Sequence, residues 1–324
     1  MPAPLRVTLL VASCLLFLPS GCKTGKERSA VTIFHAASLS GALTDLEKRF
    51  EDTHPDYDLL FEPSGSQVAA RKVSELSRRA DLVLVADWRV IEKLLVPEHA
   101  EWLIKFAANE IVLAYGEHSP HTEDISADNW PRILVQPGVR LGRANENTAP
   151  LGFQTLIAWK LCEMHYGSQA VGADLAGRLE KRCAPNQVTP DIAELVSLLE
   201  ARVIDYAFVF RSIAEEHNLK VIRLPAACNL SDTSLSGFYA KAEVPISLKS
   251  GSPPTSIAGS PIVYGLTILK NAPNRPGAVA FAAFLLGPEG RQALKRAGFA
   301  MLPSPVCETP KRLPADLRSL VRAP

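Results

Sequence analysis

The stretch Asp81-Leu82-Val83-Leu84-Val85-Ala86 admits few folds. Its interior is wholly apolar and too short for an ordinary helix, so it reads as a strand covered on both faces. Such a strand needs helices above and below it, and the neighbouring sequence supplies them. Residues 31–35 read as a strand, after which Leu39, Leu43, Leu46 and Phe50 recur at helical spacing. Residues 57–61 read as a second strand. They lead through Pro63-Ser64-Gly65-Ser66 into a helix carrying Val68, Val73 and Leu76, and residues 90–95 read as another helix. This βαβ repetition predicts an open, mostly parallel α/β sheet.

A second block of the same kind begins near Ile111, with strands expected at 111–115, 139–141, 204–210 and 221–224 and helices at 152–165 and 211–217. Residues 247–260, rich in Ser, Pro and Gly, read as a loop. A strand at 262–269 and helices at 278–286 and 291–297 follow, and the proline-rich tail beyond Pro303 reads as peripheral. A long strand leaves the first block and another returns near the end. That pattern predicts two lobes around a cleft, with lobe one at 31–112 and 268–310, lobe two at 113–267 and a tail at 311–324. Ligands of open α/β sheets sit beyond the carboxyl ends of the strands, where helix N-termini point.

The first residues read as a targeting segment. Arg6 precedes the apolar run 7–17, which has the length of a signal-peptide core and is too short to span a bilayer. Leu18-Pro19-Ser20-Gly21-Cys22 then resembles a bacterial lipobox, with Pro19 where a branched apolar residue is usual. A signal over 1–21, a diacylated Cys22 and a tether over 22–30 are expected, against ordinary cleavage or retention as an uncleaved anchor. The formal net charge of +1 gives no field that would draw the chain to nucleic acid or acidic lipid. With 47% apolar and 21% charged residues, the composition is that of a globular protein.

The chain holds six cysteines. Setting aside Cys14 and Cys22 leaves Cys162, Cys183, Cys228 and Cys307 in an oxidising compartment, where an even number suggests disulfides. Cys162–Cys183 with Cys228–Cys307 is the expected pairing. There is no CxxC to suggest zinc or dithiol redox chemistry. His118 and His121 lie in a polar loop without an acidic third ligand, so no metal site is expected.

Two turns carry small hydroxyl residues where a strand hands over to a helix: Ala36-Ala37-Ser38-Leu39-Ser40 and Pro63-Ser64-Gly65-Ser66. A helix N-terminus offers unpaired N–H groups and partial positive charge, and a serine adds a neutral donor, which together suit an anion. Either serine alone can equally be a helix cap. Two such turns one βα unit apart leave the anion site and plain capping both open. Ser64-Gly65-Ser66 is not a nucleophile elbow, and no histidine is placed by motif to act as a base, so no enzymatic activity is expected.

His35-Ala36-Ala37-Ser38-Leu39 with Glu62-Pro63-Ser64-Gly65-Ser66 resembles the molybdate- and tungstate-binding solute-binding proteins. Ala107-Ala108-Asn109-Glu110-Ile111, Asp205-Tyr206, Arg211-Ser212-Ile213-Ala214-Glu215-Glu216-His217 and Pro261-Ile262-Val263-Tyr264-Gly265-Leu266-Thr267 narrow the resemblance to the tungstate/molybdate branch, over roughly residues 31–305. The resemblance implies an α/β, two-lobed periplasmic-binding-protein-like fold of type II, with the ligand in the cleft between lobes. It implies Ser38 and Ser66 as ligand donors, helped by backbone N–H groups after Ser38, at Leu39, and around Ser66. The loop from Asn147 through Ala149 would close from lobe two, with the Ala149 N–H aimed at the anion, Pro150 opening the next helix and Val209 forming the remaining wall. No cofactor is implied, and no metal beyond the oxyanion's own centre. The implied partners are molybdate or tungstate, an ABC permease with its ATPase, and the membrane through a lipid anchor, for a monomer that binds no nucleic acid. Sulfate, or a sensing lipoprotein without a transporter, is the alternative.

Two departures stand out. That branch has an aspartate where this chain has Ala149 and a glutamate where it has Val209. Those carboxylates would raise the metal to six-coordination. Without them the expected site is four-coordinate and built from hydroxyls and backbone N–H groups, unless another acid such as Glu146 substitutes. For the anchor, Cys22→Ala should abolish palmitate labelling and release the protein from the membrane fraction. Unchanged label and fractionation would exclude the lipobox.

Overall fold

The structure, a computed structural model, describes residues 28–167, 172–247 and 253–323. The signal segment, Cys14, Cys22 and most of the tether lie outside these residues. The tether's last residues, Ser29 and Ala30, are already the start of a strand.

β1 (Ser29–Ala36), β2 (Tyr57–Ser64), β3 (Leu82–Val85) and β4 (Ile104–Ala108) alternate with α1 (Ser40–Thr53), α2 (Ser66–Ser74) and α3 (Trp88–Leu94). The chain crosses at Asn109 and Glu110 into a second sheet of β5 (Ile111–Tyr115), β6 (Leu141–Ala144), β7 (Val188–Thr189), β8 (Tyr206–Phe210) and β9 (Lys220–Arg223). Around it lie α4 (Trp130–Leu134), α5 (Pro150–Tyr166), α6 (Leu175–Arg182), α7 (Ile192–Glu200), α8 (Arg211–Glu216), α9 (Ala226–Asn229) and α10 (Ser236–Tyr239). A hairpin, β10 (Glu243–Ile246) with β11 (Thr255–Ala258), precedes β12 (Val263–Ile268), which rejoins the first sheet. α11 (Arg275–Leu286), α12 (Pro288–Arg296), β13 (Ala300–Val306) and α13 (Ala315–Arg318) complete that lobe.

The first sheet runs β13-β4-β12-β3-β1-β2 and the second β7-β6-β8-β5-β9. Both are mixed rather than mostly parallel. β1 is parallel to β2 and β3, and β6 to β7 and β8, as the βαβ pattern requires. The strands that carry the chain between lobes have no crossover helix. β5 therefore enters antiparallel to β8 and β9, and β12 antiparallel to β3 and β4. Sheet membership changes at Asn109–Glu110 and again just before Val263, so Ile111 and Val112 pair in the second sheet and residues 263–267 in the first. Each switch lies a few residues from the expected lobe boundary.

The apolar runs do what their composition demands. Every residue of β3, β5 and β8 is buried. On α1 the stripe Ala42, Leu43, Leu46 and Phe50 faces the core. Two expectations fail. The loop expected over 247–260 contains β11, whose Ile257 is buried against the interior although Ser and Pro surround it. The tail is not peripheral, because Leu313 and Leu317 are buried in the core.

His35, near the carboxyl end of β1, is 1% exposed, and its ring meets Phe61 edge-on. Its Nδ1 lies 2.9 Å from the Ala36 carbonyl, to which it donates. Burial, with the nearby Lys72 charge adding to it, pushes the imidazole down to about 4 from its ordinary 6.5. Below pH 6.5 the unfolded chain therefore takes up a proton that the folded protein refuses. The stability His35 contributes is complete above that value and is lost as pH falls toward about 4. His35→Gln should flatten urea-measured stability across this window by about 3 kcal/mol. A variant with the wild-type slope would show that other groups set the acid limit.

Candidate functional site

The site begins with a register. β1 and β2 run parallel and in step, so that His35 faces Pro63 and Ala36 faces Ser64 at their carboxyl ends. Ser38 and Ser66 each follow two residues later, and the pairing sets their turns side by side. Ser38 lies in the 3-10 turn Ala37–Leu39 that leads into α1, and Ser66 is the first residue of α2. Both are buried, at 2% and 0% exposure. Neither cap residue, Leu39 or Gly65, gives a side-chain cap to its helix, so the N-termini are left to their own N–H groups.

Hydrogen-bond polarity decides what the serines can give. The Ala86 N–H, just past the end of β3, donates to Ser66 Oγ at 2.9 Å. The serine accepts there and keeps its own proton to donate. The Ser38 case needs one more step. Ser38 Oγ lies 2.8 Å from Tyr264 Oη, and Asn109 Nδ2 lies 3.3 Å from that phenol and 2.8 Å from Ser212 Oγ. The Glu110 N–H donates to Asn109 Oδ1 at 2.9 Å, which fixes the amide with its NH2 toward Tyr264 and Ser212. Asn109 thus donates to Tyr264, and Tyr264 and Ser38 share a hydrogen bond in which either hydroxyl can be the donor. Burial pushes the Tyr264 phenol far above its ordinary value, which keeps it a neutral donor.

Lobe two meets this edge closely. A β-carbon on Gly65 would stand 2.2 Å from the Thr148 carbonyl oxygen. Gly65 has φ −61 and ψ 142, open to any residue, so its lack of a side chain serves the approach and not the backbone. The loop bearing Thr148 is braced. Asn147 Oδ1 accepts the Ser247 N–H at 2.6 Å, and the Asn147 N–H donates to Asn145 Oδ1 at 2.8 Å. Across the cleft, Arg71 of α2 donates to the Ser247 carbonyl at 2.8 Å. Further along, the Glu216 carboxylate at the end of α8 accepts the Gly41 N–H in the first turn of α1. A β-carbon on Gly41 would meet that carboxyl at 2.7 Å. A groove of about 260 Å³ runs from Ser38 past Gly41 to Glu216 and Arg296.

The remaining expected residues stand as follows. Leu39 is fully buried at the start of α1. Pro150 does open α5, but the Ala149 N–H donates to the Asn145 carbonyl at 3.2 Å instead of pointing out unpaired. Val209 is fully buried inside β8, opposite Val112. Glu146 is held by Arg143 at 2.7 Å. Lys72 donates to Glu62 at 2.7 Å and to Ser64 Oγ at 3.3 Å, and Arg78 donates to the same carboxylate at 2.6 and 2.8 Å. The helix N-termini add the partial positive charge of their peptide N–H groups to that of these two cations.

The sequence reading weighs Tyr264 as a phenol donor but sets it aside as a packed strand aromatic, and it misses Asn109, Ser212 and Gln67. Asn109 and Tyr264 sit where the chain changes lobes, and that position was their signal. Gln67, next to Ser66, is fully buried with neither end of its amide paired among the described residues. Nothing in the local pattern marked it.

A family model described as bacterial extracellular solute-binding protein matches residues 31–300. An uncharacterized solute-binding protein of Petrotoga mobilis is 38% identical over 90% of each chain. The molybdate/tungstate-binding protein WtpA of Pyrococcus abyssi is 34% identical, covering 98% of this chain and 99% of its own. The periplasmic molybdate-binding protein of Azotobacter vinelandii shares the fold, with a TM-score of 0.60 and 17% identity over 85% of this chain and 100% of that one.

Gly65→Ala tests the approach of the lobes. It should leave the far-UV spectrum and the ligand-free melting temperature unchanged within about 2 °C. It should weaken anion binding at least tenfold, about 1.4 kcal/mol, by propping Thr148 away. Unimpaired binding by this variant would exclude the contact from the binding-competent state.

Proposed function

This chain belongs to the bacterial extracellular solute-binding protein family, and we propose that it is an exported lipoprotein that captures a tetrahedral oxyanion, molybdate or tungstate, for an ABC importer. The observation that carries the reading is the pair of buried serine hydroxyls at neighbouring helix N-termini, under a loop from the other lobe. The name of the Pyrococcus abyssi relative, similar over nearly the whole chain, supports the choice of anion. Ser38 and Ser66 supply hydroxyls, the first turns of α1 and α2 supply N–H groups, and the Asn147–Ala149 loop and Val209 close the cavity. The Ala149 N–H reaches the anion only by leaving the Asn145 carbonyl. A ligand that bridges the lobes binds the closed form better and shifts the population toward it. The protein does no chemistry on its cargo.

With Ala149 and Val209 apolar and Glu146 engaged by Arg143, no carboxylate is offered to the metal centre from these positions. We therefore expect a four-oxygen anion held through hydrogen bonds alone. Sulfate, of the same shape and charge, should be rejected less strongly than by a site with metal-binding carboxylates.

A thermal-shift panel of molybdate, tungstate, sulfate and phosphate tests both statements. The preferred anion should stabilise the protein by about 2.7 kcal/mol at a hundredfold excess over its dissociation constant. Ser38→Ala with Ser66→Ala should remove the shift and keep the far-UV spectrum. X-ray absorption on the bound metal should report four oxygens. A six-coordinate spectrum would mean that a protein acid binds the metal, and a double variant that still binds would move the site elsewhere.

A further inference from the structure

The four cysteines of the described chain are not equivalent. Cys162 lies in α5 and Cys228 in α9, two helices that pack together in lobe two. Both are fully buried, and their thiols are neighbours within hydrogen-bonding reach of each other. Cys183 ends α6, with its Sγ 3.6 Å from the Leu179 carbonyl. Cys307 follows β13 in the other lobe, beside Thr309. The expected pairs Cys162–Cys183 and Cys228–Cys307 are therefore not those the fold brings together. The second would join residues of different lobes.

We propose that Cys162 and Cys228 form a disulfide in the exported protein, while Cys183 and Cys307 stay as thiols. The pair is far apart in sequence and adjacent in the fold, and an extracellular solute-binding protein works in a compartment where such thiols oxidise. The oxidant is a disulfide-donating oxidoreductase of that compartment. One cysteine thiolate attacks the donor's disulfide to give a mixed disulfide, and the second then displaces the donor's thiol. Two S–H bonds of the chain become one S–S bond, and the donor's S–S bond becomes two S–H bonds, so protons and electrons balance. Full burial closes this route once α5 has packed on α9, and it pushes the Cys162 thiol up, away from the reactive thiolate. The bond therefore forms during folding.

The position gives the bond a consequence. α5 starts directly after the Asn147–Ala149 loop, and α9 ends in Asn229, whose Nδ2 donates to Glu110 Oε2 at 2.9 Å where the chain changes lobes. A bridge between α5 and α9 ties the ligand loop of lobe two to the crossing strand.

The test is thiol accounting on the full chain purified from the export compartment. The protein is denatured without reductant, alkylated with iodoacetamide and digested. Cys183 and Cys307 should be alkylated, and one peptide pair joined through Cys162 and Cys228 should appear, two mass units below the sum of its reduced partners. Cys228→Ser should free Cys162 for alkylation and lower the melting temperature by roughly 5–10 °C. As a control that needs no substitution, wild-type protein refolded in oxidised glutathione is assayed in parallel and should give the same joined pair. Alkylation of both Cys162 and Cys228 in exported and in glutathione-refolded protein would overturn the proposal, as would a Cys162–Cys183 pair. This outcome does not depend on which anion the cleft holds.

Discussion

The parallel, in-step pairing of β1 with β2 is the constraint from which the candidate site follows. Once Ala36 stands opposite Ser64, the two turns must emerge from the same edge of the sheet, and the two helices they begin must aim their N-termini at one place. A shift of one residue in this pairing would turn the buried face of the shifted strand outward and separate the serines. The register is held by burial. Val31, Ile33 and Leu59 are packed in the core, and the buried carboxylate of Asp81 is satisfied by the N–H groups of Thr32, at 2.7 Å, and of Asn274, at 2.5 Å. The geometry of the donors is thus set by packing remote from them, as a preorganised anion site requires.

The same edge is also where the lobes meet, and there the hydrogen bonds carry direction. Asn109 and Tyr264 occupy the two points at which the chain changes sheets. Their side chains lie within 3.3 Å of one another and reach Ser38 on one side and Ser212 on the other. A change in lobe angle must move these groups, because α8, which carries Ser212, belongs to the second lobe. Ser38, the proposed ligand donor, is therefore positioned by residues at the two crossings between lobes. The state of the hinge and the donor geometry are one coupled variable, which is the physical content of capture by closure.

Much of this was legible in the sequence, for identifiable reasons. β3, β5 and β8 are apolar without interruption, and α1 shows its buried stripe at helical spacing, so burial wrote the signal directly into residue type. The serine turns were visible because strand, small residues and helix follow in order. β4 and β13 escaped, and so did the antiparallel sense of β5 and β12, because strand direction is set by chain crossings between lobes and leaves no local periodicity. β11 was hidden by its polar neighbours. The cysteine contact was illegible for a related reason: α5 and α9 meet through tertiary packing, and spacing along the chain says nothing about which helices pack. Gln67 shows the limit most plainly. Its amide is buried and unpaired among the described residues, yet a glutamine in the first turn of a helix is unremarkable in a sequence.

Electrostatics connects the absent carboxylates to the way the cleft is built. Two unit charges 4 Å apart interact by about 4 kcal/mol at an effective dielectric of 20. A carboxylate facing a dianion at that distance would cost about twice as much, unless it bonded the metal itself. Ala149 and Val209 carry no such charge, and Lys72 beside the turn shares Glu62 with Arg78. The oriented N–H groups at the starts of α1 and α2 and the two serine hydroxyls add favourable terms. Glu216 is the exception that tests this account. It reaches from lobe two to the Gly41 N–H in the first turn of α1, so it competes for the same end of the helix dipole that the anion would use. Burial raises its pKa above its ordinary value, so it takes up a proton more readily than a free glutamate. A carboxyl so placed holds the lobes together in its ionised form by accepting a peptide N–H. It also sets a negative charge near the ligand, and the balance between those two effects falls as much on this acid as on the serines.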